Sequence, residues 1–173
     1  PGEKFVVNAF HAEPTQPELK AQYLSLGYEF IETAMIMGLP LPVKTSRGWT
    51  HVHKISAPEE IDFANKGLAL GGEHIPSKTF GDPHIINFYA QLEHRAVGWT
   101  QLVTICDGIG YLNQLYTLPV YRRRGIGTTL VQAMRRWMRD EGVDEAWVLA
   151  DNPEAVAFYA ACGFTRDDEQ PIQ

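Results

Sequence analysis

The 173-residue sequence predicts an α/β fold, on three observations. Residues 85–118 alternate in hydrophobicity and are punctuated by turn pairs, the pattern of an antiparallel meander. A basic, glycine-rich loop from Arg122 to Gly127 runs directly into an amphipathic helix over Thr128–Glu141. A strand over Val143–Ala150 and a further helix then follow. The length suits one domain, or one domain with an appended segment. A globule of this size buries roughly 70 % of its unfolded-chain surface, so its core needs no disulfide or structural metal.

The elements follow in order. Glu18–Leu26 reads as a short helix broken at Gly27, and Tyr28–Leu39 is apolar and β-prone, a strand. Residues 39–42 and 45–48 form a linker, because Pro fixes φ while Gly and Ser favour turns. Composition changes near residue 45, which divides an N-terminal segment, 1–45, from a domain at 46–173. Trp49–Ile55 alternates as a strand. Ser56, Pro58 and two glutamates suit the first turn of a helix running toward Leu70, and Gly71-Gly72 ends it before a loop reaching Pro83. Ile85–Gln91, Ala96–Cys106 and Ile109–Leu118 are the meander strands, turning at Glu93-His94 and at Asp107-Gly108. Pro119 stops the ladder. In the next helix Leu130, Ala133, Met134, Trp137 and Met138 share one face, and Arg135, Arg136 and Arg139 read as its solvated side. Gly142 ends that helix; Asn152 caps the last one, with Pro153 at its first position and Gly163 beyond its end.

Charge and composition narrow the function classes. A formal charge of −6 argues against nucleic acid as a partner. No apolar run approaches the roughly 20 residues of a spanning helix, and no signal-peptide succession opens the chain, so a soluble, cytoplasmic protein without membrane partners is expected. Cys106 and Cys162 sit in apolar surroundings and read as reduced core thiols. His51 and His53 share a strand face, but no third ligand has fitting spacing, so no metal is expected. Trp99, Trp137 and Trp147 read as core.

The loop carries the chemistry. Glycines let a backbone approach a phosphate, successive N–H groups can point at it, and the helix N-terminus adds partial positive charge. Arg122, Arg123 and Arg124 add more, and a bare basic helix start is unfavourable unless an anion sits there. The loop is not a Walker loop, which would close on Gly-Lys-Ser/Thr. Nor is it a dinucleotide fingerprint, which needs three glycines in a parallel βαβ unit.

Residues 115–127, LYTLPVYRRRGIG, resemble the acetyl-CoA motif of the GNAT acetyltransferase superfamily, in which Gln or Arg is followed after two residues by Gly-x-Gly/Ala; Arg122, Gly125 and Gly127 meet it. A second motif, Asn152 to Phe164, is similar to the family's Asn…Tyr…Gly-Phe segment, and Val97-Gly98 falls where that pair often stands. The resemblance covers about residues 49–164. It implies the GNAT fold, a mixed, mostly antiparallel central sheet flanked by helices on both faces. It also implies acetyl transfer from acetyl-CoA, used as a co-substrate, to a primary amine of a small molecule or peptide, directly within a ternary complex. Two alternatives stay open: a CoA-binding module without catalysis, and an acyltransferase using a longer acyl-CoA.

By the same resemblance, the backbone from Arg123 through Gly125, Ile126 and Gly127 to Thr128 would hold the CoA pyrophosphate. Leu115, Thr117 and Leu118 would pair with the pantetheine arm like an added strand, Asn152 would lie near the arm, and Tyr159 would protonate the departing thiolate. An amide N–H at Thr117 or Leu118 would serve as oxyanion donor. Many relatives place a glutamate base on the strand before the loop. Here that strand has no carboxylate, and Tyr111, Asn113 or Tyr116 are left to line the site. The family usually ends in a β-hairpin, for which residues 165–173 are too short. The N-terminal segment is then either the remnant of a degenerate first copy, or a strand that lies beside the Val143 strand and closes the sheet edge. A partner chain filling that edge would make a homodimer.

Overall fold

The computed structural model describes residues 17–26, 35–40, 51–106 and 108–166; Trp49, Asp107 and the 45–48 linker residues lie outside these. The chain divides into two units, Pro1–Thr33 and Ala34–Gln173. Helix α1, Pro17–Ser25, belongs to the first. The second holds every strand among the described residues: β1 Met35–Pro40, β2 His51–Lys54, β3 Ile85–Leu92, β4 Arg95–Cys106, β5 Ile109–Thr117, β6 Glu145–Ala150 and β7 Thr165–Arg166. Helices α2 Pro58–Leu68, α3 Ile126–Asp140 and α4 Pro153–Ala161 complete it. The strand order is β2-β3-β4-β5-β6-β1-β7, and every pairing is antiparallel except β5 with β6. This is the mixed, mostly antiparallel sheet the sequence predicts.

Of the N-terminal strand expected over Tyr28–Leu39, the described part is β1, Met35–Pro40, and residues 28–34 lie outside the described residues. Its position follows from hydrogen-bonding need. β1 runs antiparallel to β6, Met35 facing Ala150 and Pro40 facing Glu145, and its other edge takes Thr165 and Arg166 of β7. Met37, 1 % exposed, carries β1 into the core.

Two apolar clusters lie on opposite faces of the sheet. On one face Leu130, Val131, Met134 and Met138 of α3 join Tyr159, Cys162 and Phe164 around Leu102, Leu112 and Val148. On the other, Ile61, Ala64 and Leu68 of α2 pack with Ile75 on Tyr89, Ala96 and Trp99. The α2 start differs in detail from the sequence reading. Ala57 is the N-cap residue, and Glu60 Oε2 reaches back to accept from Ser56 N (2.6 Å) and Ala57 N (3.0 Å). Asn65 clamps the following loop, with Nδ2 on Ile75 O (3.0 Å) and Oδ1 accepting from Ile75 N (2.6 Å).

One helix residue departs from expectation. Arg135 is not on the solvated side of α3: it is 5 % exposed, and Nη1 donates to Cys162 O at 2.8 Å. Cys162 is the C-cap residue of α4, so this arginine, one residue beyond the apolar Met134, faces a neighbour that periodicity on one helix could not reveal. Cys162 is a free, buried thiol. Burial pushes its pKa up against the opposing pull of Arg135 and a hydrogen bond with Thr128. The side chain of Cys106 lies outside the described residues. Trp99 is core, Trp137 packs against the α3 cluster, and half-buried Trp147 donates Nε1 to Glu145 Oε2 at 3.1 Å.

Candidate active site

β5 and β6 pair in parallel only from Ile109–Glu145 to Leu112–Val148, and beyond that point β6 continues with β1 alone. The two strands therefore part after Leu112, leaving the second half of β5 with one edge unpaired. The same place carries a bulge: Gln101 faces Gln114 while Leu102 faces Leu112, so Asn113 is the extra residue.

The ladder to β4 decides which backbone groups face the opening. Leu118 N–H donates to Val97 O at 2.9 Å, so Val97–Leu118 is a hydrogen-bonded pair. Alternation then turns the N–H and C=O of Thr117 and Leu115 away from β4, toward the parting strands. Of the two oxyanion donors expected from sequence, Leu118 N–H is thus already committed to the sheet, and Thr117 N–H faces the opening. The Thr117 carbonyl accepts from Arg122 Nε at 3.1 Å, and the Arg122 guanidinium lies 5.9 Å from the Tyr116 ring centroid.

The loop itself is built for close approach. After a 3-10 turn at Pro119–Tyr121, Arg122 to Gly125 are exposed, Arg123 has φ +61° and Gly125 caps α3 at φ +79°. Left-handed residues tip successive amides to one side, which gives a concave run of N–H groups at the helix start. α3 begins at Ile126, two residues earlier than the periodicity suggests, so the unpaired N–H groups of its first turn come from Ile126, Gly127 and Thr128. A Cβ on Gly125 would meet no atom within 4 Å, whereas one on Gly127 would meet the Phe158 ring at 3.2 Å. Gly98 lets α3 sit down on β4: a Cβ there would be 2.7 Å from Tyr116 O and 3.2 Å from Ile126 Cγ2. These features fit a pyrophosphate.

Tyr159 is 8 % exposed, edge-on to Phe158 and Phe164. Its pKa stands well above the ordinary phenol value, first because of burial and then through Cys162, Asp151 and Tyr111. Burial alone raises Tyr111. Asn152 is committed to structure: Oδ1 accepts from Ala155 N (2.8 Å) as the α4 cap, and Nδ2 donates to Asp151 Oδ1 (2.7 Å). Tyr116 Oη donates to Gly71 O at 3.3 Å, tying β5 to the loop after α2, a link with no sequence signal. His53 stacks on Tyr89 at 5.1 Å, and among the described residues no three His, Cys, Asp or Glu side chains cluster as metal ligands. No described helix is long and apolar enough to cross a membrane.

The exposed basic nest at the α3 N-terminus thus stands beside a strand edge opened between parallel neighbours. The sequence profile of the Acetyltransferase (GNAT) family matches residues 49–164, and the chain belongs to that family. It is 27 % identical over 92 residues to YobR of Bacillus subtilis, named an uncharacterized N-acetyltransferase; the match spans 52 % of this chain and 34 % of that protein. Among solved structures, a GCN5-related N-acetyltransferase from Kribbella flavida superimposes with a TM-score of 0.66 at 18 % identity. That match covers 87 % of this chain and 60 % of the other. An aminoglycoside acetyltransferase from an uncultured soil metagenomic sample, in complex with sisomicin, gives 0.59 at 20 % identity, covering 72 % and 93 %. The chain thus spans about a third of the curated relative it matches and three-fifths of the first structural one.

Proposed function

We propose that the protein is an N-acetyltransferase that moves acetyl from acetyl-CoA to a primary amine by direct transfer within a ternary complex. The observation that carries this reading is the parting of β5 from β6 at Leu112, immediately before the Arg122–Gly127 nest. Arg122, Arg123, Arg124 and the amides from Gly125 to Thr128 hold the pyrophosphate, and the outward groups of Leu115 hold the pantetheine arm. Acetyl-CoA, when bound, supplies an acetyl thioester whose sulfur leaves as a thiolate. Thr117 N–H stabilises charge on the acyl oxygen. Tyr159 donates its proton to the sulfur, and its raised pKa keeps that proton in place across the neutral range. The acceptor is a small-molecule or peptide amine, in keeping with the sisomicin complex of the soil relative. Residues 1–45 act as a segment that completes the sheet of the 46–173 acetyltransferase domain, a role supported by β1 lying within it.

Acetyl-CoA at 100 times its Kd should add about 2.7 kcal/mol of stability and raise Tm. Thiol release with a panel of amines reads the activity. Tyr159→Phe should lower kcat far more than CoA affinity, whereas equal loss of both would mean the ring only packs. Absence of any effect of CoA on Tm would sink the reading.

A further inference from the structure

The face of the sheet opposite α3 carries a line of polar side chains that the nest and the thiolate chemistry do not use. Asn113 Nδ2 donates to Gln101 Oε1 at 2.7 Å, Gln101 Nε2 donates to Asn87 Oδ1 at 3.0 Å, and Asn87 Nδ2 donates to Thr79 Oγ1 at 3.0 Å. Thr79 Oγ1 ends the line by donating to Pro76 O at 2.6 Å. Gln101, Asn87 and Thr79 are each no more than 8 % exposed, while Asn113, in the bulge where β5 leaves β6, is exposed.

The direction of this relay is fixed from its far end. A peptide carbonyl only accepts, so two oxygens 2.6 Å apart require the Thr79 hydroxyl proton between them. Oγ1 can then only accept from Asn87, which must turn its NH2 toward it and its oxygen toward Gln101. Gln101 must in turn present its oxygen to Asn113. Reversing any one amide sets oxygen against oxygen or NH2 against NH2 in a buried site. Asn113 is therefore held with its NH2 inward and its carboxamide oxygen turned away from the relay, on an exposed residue of the bulge where β5 leaves β6.

We infer that Asn113 is an acceptor-binding residue: its Oδ1 receives a hydrogen bond from the nitrogen of the incoming amine, and Gln101, Asn87 and Thr79 are positioning residues that act only through it. The inference rests on the acetyl-transfer reading. It gives the neutral strand β5, which carries no carboxylate, a fixed acceptor for an N–H, suited to an amine that arrives uncharged. Because Asn113 does not titrate, it orients the nucleophile and takes no proton; as the C–N bond forms and the C–S bond breaks, the amine proton leaves to solvent, sulfur takes the Tyr159 proton, and the Tyr159 oxygen is reprotonated from solvent.

The test uses acetyl-CoA and hydroxylamine, a minimal uncharged nitrogen nucleophile, and reads CoA thiol and acetohydroxamate in the full chain. Asn113→Ala should lower kcat/KM for hydroxylamine about tenfold, through its KM, with the acetyl-CoA KM and the CoA-induced Tm shift unchanged. Thr79→Val should cost about fivefold in the same parameter, and Thr79→Ser, which restores the hydroxyl, should recover it. The double variant should be no worse than Asn113→Ala alone, because the relay works only through Asn113. Wild-type kcat/KM in Asn113→Ala overturns the inference, as does an additive double variant. So does a wild type that binds CoA yet transfers acetyl neither to hydroxylamine nor to any amine of the panel, since no acceptor nitrogen is then held for attack. Loss of the CoA shift in the wild type itself instead removes the acetyltransferase reading on which the inference stands.

Discussion

Helix α2 is seated on the sheet through a glycine, and replacing it measures how much that seat is worth. A Cβ on Gly67 would lie 2.4 Å from Ala96 O, 2.9 Å from Ala96 N and 3.1 Å from Ala96 C. All three are backbone atoms of a central strand, so no side chain can swing aside. Carrying 2.4 Å out to the 3.4 Å of ordinary contact requires α2 to rise by about 1 Å. A gap of 0.5–1 Å forfeits roughly a quarter to a half of the dispersion attraction across the contact. The residues that would lose it are Ile61, Ala64 and Leu68, all at most 3 % exposed. Overpacking of this kind costs about 3 kcal/mol at the upper end of its usual range. The better helix propensity of alanine returns about 1 kcal/mol. Gly67→Ala should therefore destabilise by about 2 kcal/mol, or roughly 6 °C in Tm for a unit of this size. Thermal unfolding followed by tryptophan fluorescence reads it, since Trp99 lies in the same cluster. Gly72→Ala is the control: its Cβ meets nothing within 4 Å, so its φ of +76° leaves only conformational strain, about 1 kcal/mol. A Gly67→Ala protein as stable as the wild type would refute the reasoning, because propensity would then outweigh the seat.

Other expectations concern charge and capping. Tyr159, Tyr111 and Tyr89 all titrate above the ordinary phenol value of 10.0, so the folded protein keeps protons there that the unfolded chain releases. Their contribution is whole below pH 10 and is lost as pH rises toward the folded values; Tm should fall across that window, less steeply in Tyr159→Phe, and a flat profile would contradict it. Among the described residues Arg135 has one hydrogen bond, while Nε and Nη2 are buried without a partner. Arg135→Met should therefore leave Tm unchanged or raise it, and a loss beyond about 3 kcal/mol in urea unfolding would show a compensation not visible here. Asn152→Ala should cost about 1 kcal/mol by removing the α4 cap, measured the same way, with no cost if the cap is idle.

What the sequence disclosed was local. Glycine and proline punctuation marked the meander, Asn152-Pro153 marked the α4 start, and the Arg122–Gly127 spacing marked the nest, because each is settled within a few residues. What stayed hidden depends on partners far along the chain. Arg135 reads as solvated until α4 is laid against it, and Leu118 N–H reads as available until Val97 is found to accept it. The Asn113 bulge has no sequence marker. A signal for the relay did exist: Asn87, Gln101 and Asn113 are amides within three successive strands, Asn87 between two apolar neighbours, and buried amides demand partners. Periodicity could flag them as odd, but only the strand register shows that they meet.

The seating of β1 between β6 and β7 has a consequence for synthesis. Met37 faces Val148 on one side and Arg166 on the other. At a ribosomal pace of 5–20 residues per second, roughly ten seconds pass between the appearance of Met37 and that of its partner Val148. Throughout that interval a short apolar strand has both hydrogen-bonding edges exposed, because both of its partners, β6 and β7, follow it by more than a hundred residues. Yield in the cell should therefore depend on whatever shields Met35–Pro40 during that wait.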